Sequence, residues 1–155
     1  MPTRESVFQA LVELSANVTW GSGVTFQNNL DNLALRRRVK LFNEANVQPA
    51  LYQAEHDEEV AQLTNMRYKR VWKASWIIYQ QTGKDKNAVP TIENNLILDA
   101  IEAAFVPLPR DPGFPQRLTL GNLVNHCYLD GDIFKDPGDI DDQGMMVVPI
   151  TLLVP

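Results

Sequence analysis

The stretch from Arg67 to Tyr79 alternates for about a dozen residues, well past the ~5–6 of an ordinary strand. Trp72, Trp76 and Ile78 fall on one face, and Val71, Ile77 and Tyr79 on the other. A strand that is apolar on two faces needs a cover on each of them. A polar turn around Gly83 and an apolar-faced helix opened by Pro90 follow at once, so one cover lies next in sequence. Any fold for this chain must supply the second.

The chain has 155 residues, of which 45% are hydrophobic, which suits one globular domain over residues 1–155. A domain of this size buries roughly two thirds of its unfolded surface and needs no disulfide or metal to hold together. Cys127 is the sole cysteine, so no internal disulfide forms, and the chain is compatible with a reducing cytosol. A net charge of −5 disfavours static binding to a polyanion, whose affinity comes from neutralised phosphates. Met1–Glu5 has no apolar signal core behind it. The longest apolar run, Met145–Pro155, is about half the ~20 residues of a spanning helix. A soluble protein with no membrane partner is expected.

Thr3 caps a first helix in this reading, with Glu5 in its opening turn and Val7, Leu11, Leu14 and Val18 as its apolar stripe. Trp20–Gly23 ends it. From Leu33 the period changes to two, with Leu35, Val39 and Leu41 on one face of a strand and Arg36, Arg38 and Lys40 on the other. Pro49–Glu55 reads as a second strand, His56–Glu59 as a charged loop or hairpin tip, and the long strand returns from it. Its basic start, with Arg67, Lys69, Arg70 and Lys73, is expected to project into solvent or onto a partner.

Asp85 or Asn87 is expected to cap the second helix, with Pro90 in its first turn. Leu96, Ile97, Leu98, Ala100, Ile101, Ala104 and Phe105 form an arc broad enough for deep packing, opposite Asn95, Asp99 and Glu102. Leu118–Asn122 reads as a short strand or turn, and Asn125–Phe134 as a strand. Asp136–Gly144 is an acidic loop before the last strand, Met145–Val154. Pro149 cannot donate to a ladder, which assigns that strand to an edge or a bulge. The fold class is α+β within the broad α/β group: a mixed, mainly antiparallel sheet of about five strands, with two helices on one face. The order is α-β-β-β-α-β-β. Two helices cover one face only, so a neighbouring subunit or another protein is expected on the other.

Chemistry is harder to find. His56 beside Asp57 and Glu58 reads as a solvated strand end, because no second His or Cys lies near it. His126 and Cys127 point to opposite faces of one strand and cannot act as a nucleophile–base pair. Asp130-Gly131-Asp132-Ile133-Phe134 departs from the calcium-loop pattern, which asks for an oxygen ligand at 134 followed by Gly. Gly21-Ser22-Gly23 lacks the Lys of a phosphate cradle. No catalytic, cofactor or metal residues are assigned, and a non-enzymatic protein is expected. The candidate oligomer or partner surface is Arg36, Arg38, Lys40, Arg67 and Lys69, with Asp136, Asp139, Asp141 and Asp142.

Arg37–Leu41, Pro49–Tyr52, Trp76–Gln80 running into Pro90, the helix Asn95–Ala104, Gly121–Asp132 and Met146–Val154 follow one another in that order. Together they resemble the tail-terminator proteins of tailed bacteriophages of the minor tail protein U type, and related head–tail joining proteins. The likeness rests on element order, length and the Asn-Leu-Ile-Leu-Asp-Ala-Ile run of residues 95–101. It implies a hexameric homo-oligomeric ring in the virion neck, assembled in the host cytoplasm. Such a ring caps the tail tube protein, ends its polymerisation and meets a head-completion or connector protein, while DNA crosses the lumen unheld. Two alternatives stand beside it. One is another connector ring protein of the neck; the other is a small-molecule-binding domain with a pocket beside Trp72 and Trp76.

Overall fold

A computed structural model describes residues 2–26, 36, 49–64, 67–81, 89–106, 117–136, 138 and 143–155. Helix α1 is Arg4–Leu14, followed by a single 3-10 turn at Ser15–Asn17. Strands β1 (Ala50–Thr64) and β2 (Arg67–Gln81) form a long hairpin, and α2 (Pro90–Ala104) follows. With them, strands β3 (His126–Leu129), β4 (Phe134–Asp136) and β5 (Gln143–Val154) form an antiparallel sheet of five strands among the described residues. The order across it is β1-β2-β5-β3, with β4 also on β5. The α+β class with both helices on one sheet face agrees with the sequence reading.

The start of α1 follows its sequence closely. Thr3 and Ser6 cap each other reciprocally, side chain to backbone in both directions, and this satisfies two amide groups that the first turn leaves open. The helix stops earlier than its stripe suggests, at Leu14, and Val18 is buried beyond the 3-10 turn. Helix α2 has Val89 at its N-cap, with no side-chain cap and Pro90 in the first turn. Proline brings no amide there, so one open donor never arises. Asp85 and Asn87 lie outside the described residues, as do the strand expected from Leu33 (Arg36 apart) and the turn around Gly83.

The two tryptophans of β2 divide the helix layer between them. Phe8 of α1 stacks on Trp72 with ring centres 5.7 Å apart, and Phe105 after α2 tilts against Trp76 at 5.2 Å. Gln53 ties the three elements: its amide donates to the Phe8 carbonyl at 3.0 Å and its oxygen accepts from the Trp76 indole at 3.1 Å. Ile78, Met146, Val148, Ile150, Leu152 and Cys127 close the same core. A smaller cluster of Ala50, Tyr52 and Tyr79, with Ile77 and Met145 against it, occupies the other face.

Four expectations are corrected. His56–Glu59 is no loop: β1 runs through it as far as Thr64, and a register shift between Glu55 and Glu58 absorbs the misfit. Acidic residues are poor strand formers, but pairing along the whole of β2 outweighs that preference. Asn125–Phe134 is not one strand, because Asp130–Ile133 turns away to form the link between β3 and β4. The arc of α2 is narrower than expected: Ile97, Leu98 and Ile101 are buried, whereas Leu96 is 41% exposed.

Pro149 marks neither an edge strand nor a bulge. Strand β5 is central, and no irregularity interrupts its pairing with β2. The Pro149 carbonyl accepts from the Asp130 amide, on the side facing β3 and β4. In a strand, a residue's N–H points the same way as its C=O. The donor that proline lacks therefore falls in the gap between β3, which pairs at Ile150–Leu153, and β4, which pairs at Met145–Val147. No ladder bond is lost.

Candidate functional site

Among the described residues, those expected at a partner surface (Arg36, Arg67, Lys69 and Asp136) stand apart from one another. Arg36 is turned inwards: its guanidinium bridges Glu5 at 2.6 Å and Glu55, and its side chain is only 14% exposed. This pairing raises the Arg36 pKa, and Arg36 in turn holds the Glu5 carboxyl below the usual carboxylate range. The arginine thus pins the first turn of α1 to β1. Arg38, Lys40, Asp139, Asp141 and Asp142 lie outside the described residues.

Arg67 and Lys69 pair with Thr64 and Ala61 at the far end of the hairpin, past Val154, where β5 ends beside Arg70. That end runs past the last residue of β5, and Lys69 is exposed, whereas Arg70 is half-buried. Asp136 closes β4, and its carboxylate accepts from the Gly138 amide at 2.9 Å, a local turn contact. It stands opposite Met145, which pairs with Tyr79. Ten strand residues separate positions 69 and 79 of β2, or about 33 Å. The basic end and Asp136 therefore belong to different ends of the molecule.

Trp72 and Trp76 are 1% and 0% exposed beneath α1 and α2. Two other surfaces carry more information. The first is apolar. Val89, Ile92 and Leu96 recur along the outer side of α2, all exposed. Phe134 is 53% exposed on the opposite side of the sheet, in the cross-strand row of Val147, Ile77 and Tyr52. Much of that second face is already closed, since Tyr52, Val71, Tyr79 and Thr151 are buried.

The second surface is a furrow of about 510 Å³ on the same sheet face. Its walls are His56 and Asp57 of β1, Lys73 and Ser75 of β2, Pro149 and Thr151 of β5, and Asp130 after β3. The irregularity between Glu55 and Glu58 sets two β1 residues, His56 and Asp57, against Lys73 alone, which is the arrangement of a β-bulge. It brings His56 Nε2 to 2.7 Å from Ser75 Oγ. At the opposite wall Gly131 has φ +116 and approaches the Pro149 ring so closely that a Cβ would come to 3.2 Å of it. His56 is exposed, in keeping with a solvated position, but the bulge that brings it to Ser75 has no sequence signature. Among the described residues no three His, Cys, Asp or Glu side chains converge to hold a metal.

No family model matches this chain, and no curated protein is similar to it in sequence.

Proposed function

We propose that the chain is a ring-forming structural protein of the phage tail-terminator type, which caps the tail tube, ends its growth and offers a surface for head joining. The observation that carries this reading is the pair of apolar surfaces on opposite sides of the domain. Val89, Ile92 and Leu96 face outward from the helix layer, and Phe134 from the sheet. A ring closes through heterologous contacts, in which one patch of each subunit meets a different patch of the next. Two separate apolar surfaces on one small domain suit that symmetry better than a two-fold dimer, which needs only one. The acidic balance of the chain also suits a DNA conduit, because a lumen that repels phosphate lets DNA pass without holding it.

Electron microscopy of tails assembled with and without this protein tests the reading. Overlong or headless tails in its absence are the expected result. Tails of normal length that join heads would refute termination.

A further inference from the structure

The furrow on the sheet face has a charge pattern that neither the fold nor the ring reading uses. Asp57, Lys73 and Asp130 are exposed and line it together. Among the described residues, none of the three forms an ion pair. Across the strands the order is acid on β1, base on β2, hydroxyl on β5 and acid after β3. With strands ~4.8 Å apart, Lys73 stands about 5 Å from the strand of Asp57 and about 10 Å from that of Asp130. The floor between them holds the largely buried hydroxyls of Ser75 and Thr151. The Ser75 hydroxyl is oriented by His56.

A ligand complementary to this row carries a carboxylate, a cation beside it, and a second cation further along. A free oxyanion is disfavoured by the two carboxylates, and a simple cation by Lys73. We propose that the furrow binds a free basic α-amino acid, with the chemistry of arginine or lysine. Its carboxylate accepts from Lys73 and the Ser75 and Thr151 hydroxyls. Its α-ammonium donates to Asp57 across the bulge, and its side-chain cation reaches Asp130. The bulge matters because it widens the β1 wall opposite Lys73, and bulges recur where a strand must re-aim a side chain beside a site. The volume exceeds one amino acid and lies within the range of small-molecule sites. This inference stands apart from the ring, and neither depends on the other.

Titration calorimetry on the full chain, with L-arginine, L-citrulline and agmatine as ligands, tests it. Arginine is expected to saturate with half-occupancy below roughly 1 mM, and citrulline (no side-chain charge) and agmatine (no carboxylate) to bind about tenfold more weakly. Lys73→Met should abolish arginine binding. Asp130→Asn should reduce arginine to the citrulline level. Both residues are exposed, so circular dichroism of the variants should match the parent. No saturation by arginine up to about 10 mM, well above the expected range, would overturn the proposal. So would equal binding of the three ligands, or a preference for arginine that survives Asp130→Asn. Tighter binding of the peptide Lys-Gly-Glu-Gly-Lys than of arginine would give the same charge pattern to a protein segment and overturn the small-molecule assignment.

Discussion

Cys127 shows how far a single environment moves a single group. It is fully buried under the helix layer, and burial pushes its thiol up to about 12. The neutral thiol is the form the fold accepts. Its stabilisation is complete below the unfolded value of about 8.5 and is lost as pH rises towards 12. Stability from urea titrations should therefore fall between about pH 9 and pH 11, and fall less in Cys127→Ala. Burial also raises Tyr52 and Tyr79, so the variant is what isolates the thiol. Iodoacetamide at neutral pH should leave the native protein unlabelled and modify it only in denaturant. Gly138 is constrained differently: it has φ +80, and a Cβ there would lie 2.7 Å from the Gln143 carbonyl carbon. Gly138→Ala should cost about 1–3 kcal/mol, measured by thermal or urea unfolding, because both the backbone angle and the contact oppose it.

Gln53 joins elements, and its effect belongs to that scale. It is 3% exposed and holds α1, β1 and β2 together through one donor and one acceptor. Gln53→Leu keeps the volume but leaves the Phe8 carbonyl and the Trp76 indole without this partner. A loss of about 1–3 kcal/mol is expected in urea unfolding, chiefly from the buried Trp76 indole left without its acceptor. Periodicity and cap chemistry made α1, β2 and the core face of α2 legible, since each follows from spacing alone. The extension of β1 through His56–Glu59 was not legible. Local preference reads those residues as a loop, and only the partner strand overrides it. Pro149 taught the same lesson in reverse: its own chemistry excludes a ladder bond, but where the neighbouring strands stop decides whether that bond was needed.

At the scale of the whole molecule, the question is what covers the exposed apolar groups of α2 and the sheet. If the two surfaces meet between subunits, Ile92→Asp and Phe134→Asp should each disrupt the ring, seen by analytical ultracentrifugation or as overlong tails in assembly. Because both side chains already face solvent, the melting temperature should barely change. A melting temperature that collapses, or assembly that proceeds unchanged in both variants, would count against the interface. Of the residues expected at a partner surface, Lys69 keeps an outward position, while Arg36 is drawn into an internal pairing with Glu5 and Glu55. Charge in a sequence does not say whether its partner is solvent, another chain or the same chain.

From the amino-acid order alone came the α+β class, the capped first helix, the two-faced β2 strand and its burial of Trp72 and Trp76. These are settled by residue period and local chemistry, which act over a few positions. The tertiary structure alone decided that β5 is central and that a bulge turns His56 onto Ser75. It also showed Asp57, Lys73 and Asp130 lining one furrow. Each depends on which strands lie side by side and in what register, and register is set by contacts between residues far apart in the chain.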